Sequence, residues 1–146
     1  NVSDLLEKSI QDFLIPMELR EQNLVVDCAD KISLSGDEYW LREAVGNIVK
    51  NCMEHTPAGG EICIRAVENH LYTEITVSDN GAGIDKEDLP HIFERFYKGK
   101  NSSGSSVGIG LALARMIVVA QEGSLSATNG ANGGAKFEIR FYKGTV

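Results

Sequence analysis

Asn47-Ile-Val-Lys-Asn51-Cys-Met-Glu54-His55-Thr56 is the stretch on which the reading of this chain turns. It closes a run that begins at the acidic pair Asp37-Glu38, in which Leu41, Val45, Ile48, Val49 and Cys52 recur at steps of three and four. That is the period of a helix with one buried face. Asn47 and Asn51 are four apart, so they stack on one side of it, a turn from each other. Asparagine is a poor helix-interior residue, because its amide competes for backbone hydrogen bonds. Two at this spacing are either solvated amides on an outer face or a pair of oxygens offered to a hard cation. Mg²⁺ is such a cation, taking oxygen ligands and accompanying phosphates.

The 146 residues are one domain's worth, with 42% hydrophobic and 24% charged side chains, ordinary for a globular protein. A net charge of −7 argues against nonspecific binding to nucleic acid or to an anionic membrane surface. No apolar run reaches membrane-spanning length, and the N-terminus is not a signal peptide. The chain opens with neither Met nor a leader, as expected of a piece of a longer protein. Cys28, Cys52 and Cys63 are odd in number and lack CxxC spacing. They read as small buried hydrophobes in a reducing compartment, not as a disulfide framework or zinc site.

Outward from the Asn stretch, Ser3 is a candidate N-cap for a helix carrying Leu5, Leu6, Ile10, Phe13 and Leu14, which Pro16 should end or kink. Residues 24–29 and 32–35 read as short β runs about a turn at Asp30-Lys31. The Asn helix starts at Gly36-Asp37 and stops near Pro57-Ala-Gly-Gly60. Strands over 61–68 and 71–78 follow, the second alternating Tyr72, Glu74, Thr76, Ser78 with Leu71, Thr73, Ile75, Val77, so that one face is buried. A Gly-, Ser- and charge-rich connection runs from Asp79 to Val107, broken by an apolar knot at 89–97; inside a small domain such a length is functional or disordered. Gly108-Ile-Gly110 then opens a helix, 111–121, that is apolar nearly all round and expected to be buried, with Gly123 ending it. Residues 124–129 and 136–142 form a last strand pair across a Gly-rich link. This order favours helices on one face of a mixed, largely antiparallel sheet, an α+β two-layer sandwich.

Three further pieces carry chemistry. Asp79-Asn80-Gly81-Ala82-Gly83 is a tight turn, or a carboxylate at a strand end accepting a hydrogen bond from an adenine amino group while the glycines let the base lie on backbone. Gly104-Ser-Ser-Val-Gly108-Ile-Gly110-Leu is a linker, or a phosphate cradle made by the free N–H groups of a helix start. It is neither a Walker A loop nor a Rossmann turn. Ile92-Phe93-Glu94-Arg95-Phe96-Tyr97-Lys98 is a satellite cluster pinning the loop, or an apolar anchor that carries Arg95 and Lys98 toward phosphate.

Taken in order, Asn47-x-x-x-Asn51, Asp79-x-Gly81-x-Gly83, Phe93-x-x-Phe96 and Gly108-x-Gly110-Leu resemble the N, G1, F and G2 boxes of sensor histidine kinases. The resemblance covers nearly the whole chain as their catalytic ATP-binding domain. It implies the Bergerat fold shared with DNA gyrase, mismatch-repair ATPases and certain chaperones: three main helices on one face of the sheet, and a long ATP lid over 80–107. By position it implies that Asn51, with Asn47 beside it, holds Mg²⁺ and the phosphates of ATP, and that His55 faces the nucleotide. Asp79 would take the adenine amino group, with Gly81, Gly83 and Ile84 lining the base. Phe93, Arg95 and Lys98 would act from the lid, and Gly108, Ile109, Gly110 and Leu111 at the helix start.

The departures are informative. Hydrolysing relatives carry a Glu where Asn47 stands; an amide is no general base, so water attack should be slow and the γ-phosphate kept for a protein acceptor. Glu43, one turn back, is not assigned that role. Glu54 stands where many members have Lys. Ala135 replaces the usual Thr or Ser, whose hydroxyl helps fix the adenine-binding Asp, so adenine recognition should be weaker here. His55, His70 and His91 lack the setting of a phosphoacceptor. The resemblance therefore implies a single domain, 1–146, whose segment 1–22 follows a separate dimerisation and phosphoacceptor domain, and which serves a response regulator indirectly. The fragment alone would be a cytoplasmic monomer, its parent a homodimer anchored in a bacterial inner membrane. Rival readings are a self-contained ATPase of the gyrase or chaperone type, a serine kinase of the anti-sigma-factor type, and a nucleotide-binding module without transfer activity.

Overall fold

A computed structural model describes residues 1–29, 31–34, 36–94, 110–130 and 133–143. The helices are α1 (Val2–Ile10), α2 (Leu14–Leu19), α3 (Glu38–His55) and α4 (Gly110–Ala120). The strands are β1 (Asn23–Cys28), β2 (Glu61–Glu68), β3 (Tyr72–Asp79), β4 (Gly123–Asn129) and β5 (Ala135–Tyr142). The strands form one sheet in the order β1-β2-β3-β5-β4, parallel between β1 and β2 and antiparallel elsewhere. Helices α1, α3 and α4 lie side by side on one face, which makes the α+β two-layer sandwich expected from the sequence.

Register follows from the pleat. Ile62 and Ile64 on β2, Ile75 and Val77 on β3, and Phe137 and Ile139 on β5 are all at most 1% exposed and meet across the ladder on the helix-facing side. Burying each contributes roughly 1.5–3 kcal/mol. A one-residue slip would drive Glu74, Thr76 and Glu138 into that layer instead, so the register is fixed. Asp79 continues the inward parity of Thr73, Ile75 and Val77, and is the one carboxylate of β3 to face the helices.

The helix layer is set by α3. Asp37 caps it, its carboxylate accepting from the Trp40 N–H at 3.1 Å. Near its middle, Gly46 lets α1 and the following turn cross closely, with the Phe13 ring and the Ser9 carbonyl about 3.6–3.7 Å from where a Cβ would stand. Lys8 of α1 pairs with Glu38 at 2.7 Å. On the other flank α4 runs antiparallel to α3: Gln121 Oε1 accepts from the Asp37 N–H at 2.6 Å, while Gly110 lies beside Asn47.

Six expectations are corrected. The first helix starts two residues earlier than a Ser3 cap would place it, capped by Asn1, whose amide oxygen accepts from the Asp4 N–H at 3.0 Å; Val2 is fully buried and its N–H donates to the Ile32 carbonyl, drawing the chain in. That helix gives way at a 3-10 turn, Gln11–Phe13, and Pro16 sits in the first turn of α2, where its missing N–H costs nothing. Residues 32–34 are not a strand: Ile32 is buried, but its carbonyl serves α1 and that of Ser33 accepts from the Thr73 hydroxyl at 3.0 Å. Helix α4 buries only Ala114, Ile117 and Val118, leaving Met116 and Val119 more than half exposed, because a flanking helix of a two-layer fold has neighbours on one side only. It ends at Ala120, with Glu122 rather than Gly123 in the left-handed region (φ 66°). Among the cysteines, all free thiols, Cys52 is buried but Cys28 and Cys63 are half-buried at the sheet. Among the described residues no helix is long and apolar enough to cross a membrane.

Candidate functional site

The C-terminal turns of α3, the exit of β3 and the β4–β5 connection converge at one end of the sheet, with Asp79 among them. Its side chain is 4% exposed. Oδ1 accepts from the N–H groups of Gly81 at 2.9 Å and Ala135 at 3.2 Å. Oδ2 is buried and makes no hydrogen bond. Leaving a buried acceptor without a donor costs about 1–3 kcal/mol, more when it is charged, and an arrangement this costly is kept where a ligand or ordered water supplies the donor. Cys52, one residue past Asn51 and wholly buried, lies close by; burial, then the negative charge of Asp79 and a hydrogen bond from the thiol to that carboxylate, push the thiol well above the ordinary range. It therefore stays a neutral, unreactive S–H.

Backbone lines the space around that carboxylate. A Cβ on Gly81 would stand 2.5 Å from the His55 carbonyl oxygen, so only glycine lets the loop lie against the last turn of α3. Gly83 adopts φ +80°, where a side chain is strained, and it abuts the Gly133 carbonyl and the Asn129 amide. Ile84, next along, is held at two points: its N–H donates to Asn129 Oδ1 at 2.7 Å and its carbonyl accepts from Asn129 Nδ2 at 2.8 Å. One side chain thus pairs with a backbone unit as a neighbouring strand would, and Ile84 packs against the core.

The other side of the site lies between α3 and α4. Asn47 Oδ1 is 3.4 Å from where a Cβ on Gly110 would stand, so the start of α4 opens directly beside the first of the paired asparagines. Asn47, Asn51 and His55 are half-buried along the same flank. A helix start carries N–H groups with no partner inside the helix and the positive end of its dipole, and that of α4 lies beside Asn47, where the two amides could hold a hard cation. Leu111 packs against the core behind them. Phe93 is partly buried on the core too, and the Arg115 guanidinium lies over its ring, 5.6 Å from the centroid.

Of the residues expected at the site, the structure brings together Asn47, Asn51, His55, Asp79, Gly81, Gly83, Ile84, Gly110 and Leu111, with Phe93 at the margin. Arg95, Lys98, Gly108 and Ile109 lie outside the described residues, as do residues 95–107 of the 80–107 lid. Sequence reasoning missed Asn129, whose only signal is an amide at a strand end before a glycine. It also missed the Ala135 N–H, which holds Asp79 where a side-chain hydroxyl was expected to be needed.

Residues 36–145 match the family described as histidine kinase-, DNA gyrase B-, and HSP90-like ATPase. The sensor histidine kinase CusS of Escherichia coli K12 is 36% identical over 107 residues, covering 71% of this chain and 22% of that protein. The sensor histidine kinase TrcS of Mycobacterium tuberculosis is 37% identical over 118 residues, 76% of this chain and 23% of that one. The chain thus spans about a quarter of the length of the curated relatives it matches. Among solved structures, the nucleotide-free catalytic domain of histidine kinase ThkA superposes with a TM-score of 0.86 at 21% identity, covering 98% of this chain and 95% of that one. The mycobacterial sensor histidine kinase MprB gives 0.85 at 22%, covering 97% and 95%. At such identities these two likenesses concern the fold.

Proposed function

The chain belongs to the histidine kinase-, DNA gyrase B- and HSP90-like ATPase family, and on that premise we propose that it is the catalytic domain of a sensor histidine kinase. It would bind ATP and supply the γ-phosphate to a histidine on a separate dimerisation domain of its parent, in two-component signalling. The observation that carries this reading is Asp79: one oxygen fixed by two backbone donors, the other buried and open to a ligand's donor. An adenine amino group supplies such a donor, and Gly81 and Gly83 leave room for a flat base. Asn51, with Asn47, has the hard oxygen donors that suit Mg²⁺. Bound there, the cation would neutralise phosphate charge.

The chain's own residues then act by position and charge. The N-terminus of α4 meets the phosphates with unsatisfied N–H groups, and His55 borders the nucleotide. On the motif assignment Gly108 and Ile109 extend that cradle, while Arg95 and Lys98 approach the phosphates from the lid, residues 80–107. Catalysis of this kind is chiefly orientation and electrostatic stabilisation. Asn47 cannot serve as a general base for water, which favours transfer to a protein over hydrolysis and sets the ATPase reading below the kinase one. In this reading residues 1–22 connect to the dimerisation domain, a response regulator receives the phosphoryl group afterwards, and the parent is a membrane-anchored dimer with this domain in the cytoplasm.

The test is transfer from γ-labelled ATP·Mg²⁺ to the parent's dimerisation domain mixed with this chain. An acid-labile, base-stable label on that domain is expected, lost in Asp79→Asn and Asn51→Ala. Sustained phosphate release without any labelled acceptor would favour the ATPase, and a label stable in acid would favour a serine kinase.

A further inference from the structure

The C-terminus of α3 is finished by residues of another element. A helix leaves its last carbonyls without partners, and a glycine just past the end commonly turns the chain back to satisfy them. Here the first residue past α3 is Thr56, extended at φ −101°, and the first glycine comes at 59. The carbonyls are met by side chains instead. Thr56 Oγ1 donates to the Cys52 carbonyl at 2.6 Å. Gln22, only 7% exposed, donates both hydrogens of its Nε2, to the Met53 carbonyl at 2.8 Å and the Thr56 carbonyl at 2.6 Å. Arg20 adds a charged donor to Met53 at 3.2 Å, at the negative end of the helix dipole.

The orientation of the Gln22 amide is unambiguous, since the opposite flip would set its oxygen against two carbonyl oxygens. Its Oε1 is left buried without a hydrogen bond. The backbone around Gln22 is tied to the same place: Gly59 N–H donates to the Glu21 carbonyl at 2.7 Å and Asn23 N–H to the Gly60 carbonyl at 2.9 Å, with Glu21 itself in the left-handed region (φ 56°). The whole turn between α2 and β1 is clasped onto the end of α3.

We infer that Gln22, assisted by Arg20, is a positioning residue for the cation and phosphate side of the site, making the N-terminal helical segment a support of the helix that carries Asn47 and Asn51. The two sides of the site are supported differently. The base side has its own fastenings, Gly81 and Ala135 on Asp79 and Asn129 on Ile84. The asparagine side depends on where the last turns of α3 sit, and those end on Gln22.

This inference rests on the reading of the site as one for ADP or ATP with Mg²⁺, and the test separates the two. ADP binding is titrated calorimetrically with and without Mg²⁺ on the full chain, on Gln22→Met and on Arg20→Met, each checked for a cooperative thermal transition. In the wild type Mg²⁺ should strengthen binding. In Gln22→Met, ADP alone should bind within about twofold of wild type, while the Mg²⁺ enhancement falls about tenfold, the size of effect typical of a residue supporting a metal ligand. A folded Gln22→Met that keeps the full enhancement overturns the inference and leaves the functional reading intact. Equal losses with and without Mg²⁺ also overturn it, since they mark a merely structural role. If Gln22→Met does not fold, Arg20→Met decides: Arg20 is exposed and gives one bond, so a smaller but selective loss of enhancement is expected, and no change overturns the inference. A folded wild type that binds no ADP under either condition sinks both.

Discussion

Replacing Asp79 by Asn changes one atom and should invert the hydrogen-bonding sense of the site while leaving the fold intact. Both N–H groups that hold the residue, those of Gly81 and Ala135, point at Oδ1. A carboxamide in the same cavity must put its oxygen there, which sends its NH₂ to the position of Oδ2. The open acceptor becomes a donor. A ligand amino group then loses a bond to a charged acceptor, about 1.5–3 kcal/mol, and finds a donor opposed to it, at a further 1–3 kcal/mol or so for groups left unmatched. The sum, about 2.5–6 kcal/mol, predicts that ADP affinity falls on the order of 10²–10⁴-fold.

Stability should change little, because the bonds to Oδ1 survive and a buried charged acceptor without a donor is exchanged for a neutral buried NH₂ without an acceptor. Inosine diphosphate, with an oxygen where ADP has its amino group, should gain on ADP in the variant. Calorimetric titration of both nucleotides against both proteins, beside thermal melts, reads all of this. A folded Asp79→Asn that binds ADP within about fivefold of wild type, a difference near 1 kcal/mol, would refute the argument. So would an unchanged preference for ADP over inosine diphosphate.

Asn129→Ala removes both bonds to Ile84 at an exposed position; at roughly 0.5–1.5 kcal/mol each, the Ile84 amide should exchange with deuterium about 5–150-fold faster, with little change in Tm. Gly81→Ala drives a methyl into the His55 carbonyl and should cost about 1–3 kcal/mol in urea unfolding, with weaker ADP binding alongside. Ala135→Thr should raise ADP affinity roughly two- to tenfold, one hydrogen bond's worth; unchanged or weaker binding counts against the role given to the missing hydroxyl. The hydrogen bond from Lys8 holds the Glu38 carboxyl below its usual range, so the link between α1 and α3 contributes above that range and is lost as pH falls through the lowered value. Glu38→Gln should therefore flatten the acid limb of urea midpoints slightly between about pH 5 and 3, and less so in high salt because the pair is exposed.

The layers of this fold were legible wherever one residue's neighbours along the chain decide its environment. The 3–4 period from Leu41 to Cys52 and the alternation from Tyr72 to Ser78 each report a half-buried element, and both elements stand where the pattern put them. The failures share a cause. Ile32 and Leu34 look like a strand because they alternate, yet strand formation needs an edge to pair with, and the Ile32 and Ser33 carbonyls are already committed to Val2 and Thr73. The composition of α4 is apolar enough for a central helix, but how many sides a helix buries depends on how many layers lie beyond it, and nothing local states that.

The same division runs through the site. Asp79, Gly81 and Gly83 could be singled out because a strand end followed by glycines is a local pattern, and Asn47 and Asn51 because a helix repeats every four residues or so. What holds them in place is not local at all. Asn129 grips Ile84 from 45 residues away, Ala135 reaches Asp79 across 56, and Gln22 closes α3 from more than 30. Each is a single hydrogen-bonding group whose identity matters only once the fold has brought a bare backbone atom to it, so a glutamine before a strand or an asparagine after one looks like any polar surface residue in the sequence. The chemistry of such a site is written in short motifs, while its precision is supplied by solitary side chains at long range. Substituting the second kind should therefore loosen binding without erasing it, whereas substituting Asp79 removes the recognition itself.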